Sequence, residues 1–238
     1  IPLEDIATAM SDPTRLIGLH FFNPVPKMML VEIVHGRQTS AALIPPAAAF
    51  VRQIDKLPLP VKSAPGFLVN RILAPYLMTA MRCVDEGISP ETVDEAALEF
   101  GMAMGPIELA DTVGLDICVA VGKMLDPNAT PPKRLSELVA SGHLGRKTKR
   151  GFYDYAAGKP AKQPGGRVPA GLAQRLIDPF VAEAQAALAE GIVADADLVD
   201  AGAIFGTGFA PFRGGPLHYA QRARASAQGD ARIQAQPG

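Results

Sequence analysis

The sequence contains two similar stretches in its C-terminal three quarters. Three pairs of segments match in the same order, at offsets of 104, 104 and 105 positions: 71–75 (RILAP) with 175–179 (RLIDP), 86–88 (EGI) with 190–192 (EGI), and 100–106 with 205–211. Because the offset changes by only one residue over this length, the matches indicate an internal duplication. Apolar residues of the first copy recur at helical steps: Ile72, Leu73, Tyr76, Leu77, Ala80, Met81 and Val84. We therefore expect two related helical units that bury each other's apolar faces about a local two-fold axis.

The residues before the first copy have a different pattern. Two apolar strand candidates, 16–20 and 29–34, are separated by the turn-prone Asn23-Pro24-Val25-Pro26, and a helix near 40–56 precedes a third strand candidate at 59–62. We predict a mainly α chain with an N-terminal α/β piece. The expected boundaries are 1–62 for the α/β remnant, 63–156 for a first helical domain, 157–167 for a Gly- and Pro-rich linker, 168–225 for a second helical repeat and 226–238 for a tail.

Charge and apolar content exclude several classes of protein. The 23 basic residues nearly balance the 24 acidic ones, so neither nucleic acid nor an anionic membrane is an expected partner. No apolar stretch approaches the roughly 20 residues that span a bilayer, and the N-terminus lacks the features of a signal peptide. These observations predict a cytoplasmic protein without a metal site, since the histidines have no ligand spacing. A start at Ile1-Pro2 without Met suggests a fragment of a longer chain.

One histidine and one glutamate are candidates for chemistry. His20 ends the first strand candidate, where a strand gives way to a loop, and Glu32 lies twelve positions later on the next strand candidate. A carboxylate in contact with an imidazole fixes its tautomer and stabilises its cation, as a general base requires. The alternative is a pair of satisfied polar groups without a catalytic role.

The amino-acid sequences of several segments favour the catalytic interpretation. HFFNPVPKMMLVEIVHG at 20–36 resembles the signature segment of the 3-hydroxyacyl-CoA dehydrogenases. PGFLVNR at 65–71, GMAMGPIELADTVGLD at 101–116 and GFYDY at 151–155 are similar to motifs of the family's helical domain, although Lys149 stands where the family tends to have glycine. GTGFAPFRGGP at 206–216 resembles the second C-terminal repeat of multifunctional fatty-acid oxidation proteins.

The resemblance implies a fold and a set of roles. It implies a Rossmann-type NAD domain remnant followed by two helical units like the C-terminal domain of 6-phosphogluconate dehydrogenase. His20 would take the proton of the substrate's 3-hydroxyl while hydride passes to NAD, and Glu32 would orient His20. Asn70 would bind the substrate oxygen, and Asn23 would line the nicotinamide site. Taken from the residues alone, Asn70 could instead cap the Pro65-Gly66 turn, and Asn23 could simply form an Asn-Pro turn.

A glycine fingerprint for NAD is missing from the sequence. No G-x-G-x-x-G segment follows a strand candidate, so we expect these residues alone to lack turnover. The resemblance implies a parent protein that oxidises (3S)-3-hydroxyacyl-CoA in fatty-acid β-oxidation. The parent is expected to carry an upstream hydratase region, and a homodimer is compatible with the pattern. The competing hypothesis is a non-catalytic helical module for acyl-CoA binding or assembly.

Overall fold

The computed structural model describes the backbone of residues 2–234 and the side chains of residues 2–225. The strands are β1 (Gly18–Phe21), β2 (Leu30–His35) and β3 (Leu57–Lys62). The helices are α1 (Leu3–Ala7), α2 (Ile44–Gln53), α3 (Val69–Asp85), α4 (Pro90–Phe100), α5 (Pro106–Val113), α6 (Leu115–Leu125), α7 (Lys133–Ala140), α8 (Leu172–Ala189), α9 (Ala196–Thr207) and α10 (Pro216–Gln234). The prediction of a mainly helical chain with a small N-terminal sheet is confirmed.

The strands form a sheet in the order β1-β2-β3, with β1 antiparallel and β3 parallel to β2. Successive side chains of β2 point to opposite faces, as the geometry of a strand requires. Val31 and Ile33 pack with Ala48 and Val51 of α2 in a small separate core. The other face of β2 joins the main helical core, and this face also carries Glu32.

Local sequence signals set the ends of several helices. Ser89 caps α4 by accepting a hydrogen bond from the Thr92 N–H, and Pro90 fills the first helical position. Gly114, with a φ of 108°, separates α5 from α6.

Two buried aspartates cap helices in the same way. The Asp94 carboxylate accepts hydrogen bonds from the Ile107 and Glu108 N–H groups at the start of α5. The Asp200 carboxylate accepts from the Leu217 and His218 N–H groups at the start of α10. Negative charge at a helix N-terminus satisfies free N–H groups and is favoured by the helix dipole. Each aspartate thereby joins a preceding helix to the one that follows it.

Helices α3 and α8 lie against each other in the middle of the molecule, and arginines join them at both ends. The Arg71 guanidinium binds the Glu190 carboxylate with distances of 2.7 and 2.8 Å. Arg175 binds Glu86 with distances of 2.6 and 2.5 Å. Bidentate arginine–carboxylate pairs combine charge with a defined geometry. The two pairs are reciprocal, because each helix provides the arginine of one pair and is followed by the glutamate of the other.

The segment between the two helical stretches follows the surface of α4. The N–H groups of Gln163 and Gly166 donate to the side chains of Glu91 and Thr92, and Lys162 forms an ion pair with Asp94. Helix α10 runs across the boundary predicted at 225 as far as Gln234. The last four positions of the predicted tail lie outside the described residues.

Candidate active site

His20 and Glu32 meet across two strands. They are register partners in the antiparallel pair of β1 and β2, so their side chains lie on the same face of the sheet. His20 Nδ1 lies 2.7 Å from Glu32 Oε2, which is the distance of a charge-assisted hydrogen bond. The spacing of twelve residues therefore produces the contact that was expected from the sequence.

The second carboxylate oxygen of Glu32 is bound by the start of α3. Oε1 accepts hydrogen bonds from the N–H groups of Leu68 and Val69, at 3.0 and 2.9 Å. The Glu32 side chain is 0% exposed, so a charge there depends on such partners. Leu68 is the N-cap residue of α3 and Val69 is its first residue, and backbone donors at a helix start lack partners within the helix, where the dipole also favours an anion. Glu32 thus links the sheet to α3 and directs one oxygen to His20.

The His20 ring is held by aromatic neighbours and remains accessible. Its centroid lies 4.7 Å from that of Phe22 and 5.3 Å from that of Phe67, both in edge-to-face geometry. The His20 side chain is 30% exposed. Because Glu32 accepts at Nδ1, the neutral ring carries its proton on that nitrogen, and Nε2 presents a lone pair. This arrangement can remove a proton from a hydroxyl group at Nε2.

Asn70 lies on α3, directly after the two residues that bind Glu32. Its half-buried side chain lines a small pocket of about 40 Å³ whose remaining walls are mostly apolar: Leu73, Ala74, Leu77, Met78, Val113, Ile117, Cys118 and Val121. Among the side chains of residues 2–225, none forms a hydrogen bond with the Asn70 amide. A side-chain amide that has no hydrogen-bond partner among the described residues and lies beside an apolar pocket is available to a ligand oxygen.

Asn23 lies in the loop that follows β1, three positions after His20, and its side chain is exposed. The same loop connects β1 to β2 and is fixed in part by the Lys56 ammonium, which donates to the carbonyl groups of Val25 and Met28. The structure therefore brings His20 and Glu32 into contact and places Asn70 beside the donors to Glu32. Among the described residues, no hydrogen bond joins the exposed Asn23 side chain to any of these three.

Other buried acids belong to the helical framework. Burial raises the pKa of Asp94, against the opposing effect of Lys162, and burial likewise raises the pKa of Asp111 and Asp200. In the part of the chain that the structure describes, no group of three His, Cys, Asp or Glu side chains could hold a metal ion. Within the same part, no helix is long and apolar enough to cross a membrane.

Two parts of the site were missed by the sequence reasoning. The donors of Leu68 and Val69 are backbone N–H groups, which the side-chain types in a sequence do not reveal. No sequence motif indicates that the Phe67 ring contacts His20. The signal that could have found them is the Pro65-Gly66 turn, which starts α3 directly opposite β2. Phe67 has a φ of 51°, a left-handed conformation that is uncommon for a bulky residue and that marks the place where the chain turns towards the sheet.

Two family models match most of the chain. Residues 1–64 match the 3-hydroxyacyl-CoA dehydrogenase NAD binding domain. Residues 66–155 match the 3-hydroxyacyl-CoA dehydrogenase C-terminal domain. The two matches follow each other in the order of the chain and together include His20, Glu32 and Asn70.

Curated relatives extend the similarity beyond residue 155. The fatty acid oxidation complex subunit alpha of Shewanella sp. (strain MR-7) is 38% identical over 240 residues, which cover 92% of this chain and 34% of the relative. The subunit of the same name from Shewanella sp. (strain MR-4) is 39% identical over 240 residues, with the same coverage. The chain thus spans about a third of the length of these relatives.

Solved structures have the same fold. A 3-hydroxybutyryl-CoA dehydrogenase from Escherichia coli K12 superposes with a TM-score of 0.80 at 25% identity, covering 94% of this chain and 66% of that one. An (S)-3-hydroxybutyryl-CoA dehydrogenase from Ralstonia eutropha gives a TM-score of 0.62 at 44% identity, covering 66% of this chain and 58% of that one. Because family models match residues 1–64, which contain the contact of His20 with Glu32, and residues 66–155, the chain belongs to the 3-hydroxyacyl-CoA dehydrogenase family.

Proposed function

We propose that this chain provides the proton-accepting and substrate-binding part of an NAD-dependent 3-hydroxyacyl-CoA dehydrogenase, which oxidises (3S)-3-hydroxyacyl-CoA to 3-oxoacyl-CoA in fatty-acid β-oxidation. The observation that carries the proposal is the 2.7 Å contact between His20 Nδ1 and Glu32 Oε2, which leaves Nε2 as the base. Family membership and the names of the relatives, which are fatty acid oxidation complex subunits, support this choice of substrate.

In the proposed reaction, His20 Nε2 accepts the proton of the 3-hydroxyl group as the carbon–oxygen double bond forms. Glu32 stabilises the resulting imidazolium without leaving the two N–H groups of α3. The Asn70 amide donates to the same substrate oxygen, where negative charge develops as the proton leaves. The neighbouring apolar pocket accommodates the first carbons of the acyl chain beyond C3.

The described residues fit one end of NAD only. When bound, NAD supplies the acceptor for the hydride that leaves C3. Asn23 is exposed on the loop next to His20, which suits a contact with the nicotinamide amide. Among residues 2–234, no strand runs through a glycine-rich turn into a helix, the feature that binds a pyrophosphate. We therefore expect no turnover from the 238 residues alone.

We further propose that 66–155 and the segment from about 168 onward are two copies of one helical unit, of which the second takes the place of a partner subunit. The reciprocal pairs of Arg71 with Glu190 and of Arg175 with Glu86 support this proposal, as does the equivalent capping by Asp94 and Asp200. The names of the relatives also suggest a place in a fatty acid oxidation complex.

The test joins this chain to the NAD-binding segment of a Shewanella relative, and we refer to the product as the fusion protein. NADH oxidation with acetoacetyl-CoA, followed by absorbance, is expected to be measurable in the fusion protein. His20→Ala should lower kcat by roughly a hundredfold or more, because the group that gives its proton to the 3-oxygen in this direction, and accepts it in the other, is lost. His143→Ala, a change at a histidine far along the chain on the loop after α7, is the matched control and should leave kcat unchanged.

An active fusion protein whose kcat survives His20→Ala would contradict the proposal. A fusion protein that binds acetoacetyl-CoA without oxidising NADH would instead favour a binding or assembly module. Binding in that case would be measured by calorimetry with the same ligand.

A further inference from the structure

Helix α9 lies against the two residues that bind Glu32. A Cβ atom at Gly206 would stand 2.7 Å from Val69 Cγ2 and 2.9 Å from Val69 Cγ1. A Cβ atom at Gly202 would stand 2.7 Å from Leu68 Cδ2 and 2.9 Å from Leu59 Cδ2. Carbon atoms do not approach so closely, so alanine at Gly206 would displace the branched Val69 side chain, and alanine at Gly202 would displace the ends of two leucine side chains.

The contacted residues have little freedom to move away. Leu68 is 0% exposed and Val69 is 1% exposed. Val69 is β-branched and lies in the first turn of a helix, where its side chain has one strongly preferred rotamer. A displacement of the Val69 side chain is therefore passed to its backbone N–H group. That N–H group is one of the two donors to Glu32 Oε1.

We propose that Gly202 and Gly206 of α9 are positioning residues for the His20–Glu32 pair. They allow α9 to pack closely against the start of α3. This packing keeps the Leu68 and Val69 N–H groups within hydrogen-bond distance of Glu32. Glu32 then has one oxygen fixed by α3, and this sets the direction of the other oxygen towards His20. The catalytic consequence rests on the proposed function, whereas the structural consequence does not.

The order of these contacts links distant parts of the chain. Glu32 lies on β2 of the N-terminal sheet, the donors begin α3, and the glycines belong to α9 near the other end of the sequence. Gly206 would also meet Leu30 Cδ2 at 3.1 Å, so α9 contacts the strand of Glu32 as well as its donors. The C-terminal helical stretch thereby acts on a site to which it contributes no functional group.

The test compares single and paired substitutions in the 238-residue chain by NMR. Gly206→Ala should weaken the low-field resonance of the proton between His20 Nδ1 and Glu32, and should move the Leu68 and Val69 amide protons upfield. Adding Val69→Ala to Gly206→Ala removes both methyl groups that collide with the new Cβ, and this pair should restore the resonances. Gly122→Ala is the matched control, because a Cβ there in α6 would meet only Met78 Sδ at 3.9 Å.

Kinetics of the fusion protein give a second readout. Gly206→Ala is expected to lower kcat by about a hundredfold with KM nearly unchanged, because a misplaced base costs rate rather than binding. The pair with Val69→Ala should recover most of this loss. A general loss of fold would instead reduce the active fraction and leave kcat of the remaining enzyme as before.

Resonances that stay in place in Gly206→Ala, or that fail to return in the pair, would overturn the proposal. Should the single variants not fold, hydrogen exchange of the unsubstituted chain decides the matter. The Leu68 and Val69 amide protons should then exchange when α9 opens. Exchange of these protons that does not depend on the opening of α9 would count against the proposal. Since these readouts need no turnover, failure of the proposed activity and failure of the positioning role are separable.

Discussion

His20 and Glu32 occupy opposite positions on two antiparallel strands, and Nδ1 of the one lies 2.7 Å from Oε2 of the other. A cross-strand pair of this kind is fixed by the register of the sheet, so the contact does not depend on a mobile loop. Glu32 is in turn fixed by two N–H groups of α3. The orientation of the imidazole therefore follows from the way that the sheet meets the helical part of the chain.

Glu32→Gln should preserve the fold and reverse the tautomer of His20. The amide oxygen of Gln can still accept from Leu68 and Val69, but its NH₂ group then faces Nδ1. The neutral ring must place its proton on Nε2, so the proposed base is lost and kcat of the fusion protein should fall by about 10³ to 10⁴. Ring ¹⁵N shifts of His20 report the tautomer directly, and an unchanged pattern would contradict the assignment. Glu32→Ala should also destabilise the chain, by about 3 kcal/mol or more, because two buried N–H groups lose their acceptor.

Asn70→Leu should raise the stability of the chain and lower the activity of the fusion protein. The amide has no partner among the described side chains, and leucine is a better helix former that also suits the apolar pocket. We expect the free energy of unfolding in urea to rise by about 0.5 kcal/mol or more. Turnover of the fusion protein should fall by about 10² to 10³, because the proposed donor to the reacting oxygen is lost. The low-field His20 resonance serves as the control, and full turnover in this variant would show that Asn70 does not touch the substrate.

Lys149→Gly should stabilise the chain. Lys149 has a φ of 60°, in the left-handed region that costs a residue with a Cβ atom roughly 1–2 kcal/mol. Part of this gain is lost to the greater freedom of glycine in the unfolded chain, so a net gain of about 0.5–1 kcal/mol is expected. Thermal unfolding measures it. Lys159→Gly removes the same charge at an exposed position and should bring no gain, and an equal rise in both variants would point to charge rather than to backbone strain.

His35 should make stability depend on pH below neutrality. Burial lowers the pKa of its imidazole from the usual 6.5, and the nearby charge of Lys62 lowers it further. The unfolded chain then binds more protons than the folded chain between the two pKa values, so stability rises with pH in this window. The contribution is complete above pH 6.5 and is lost as the pH falls towards the lowered value. Urea unfolding between pH 5 and 7.5 should give a flatter profile for His35→Gln, and identical profiles would argue against this origin.

Much of the local structure could be predicted because its causes are local. Ser89 and Pro90 mark the start of α4 by capping chemistry, and Gly114 marks a break between helices. The contact between His20 and Glu32 could be predicted from two strand patterns joined by a short turn. The resemblance to a family then gave the pair a chemical meaning that spacing alone left open.

The contacts that hold the site came from parts of the chain that no local pattern connects. The Leu68 and Val69 donors are separated from Glu32 by 36 and 37 residues, and their role depends on where α3 starts relative to β2. The contact of Gly206 with Val69 spans a still longer interval and depends on the closeness of two backbones. A sequence shows that glycine is present, but only the folded chain shows what a Cβ atom would strike. The contact of His20 with Glu32 is observed, whereas the catalytic roles of these two residues, the roles of Asn23 and Asn70 and a cytoplasmic location stay predictions.

The reciprocal ion pairs between α3 and α8 have a consequence for how the protein behaves on dilution. Contacts of this kind between separate molecules weaken as the protein concentration falls, because each encounter must be repeated in solution. Here both helices belong to one covalent chain, so their meeting is intramolecular and has an effective concentration that dilution does not change. The contact between α3 and α8 that Arg71 and Arg175 stabilise should therefore persist at low protein concentration.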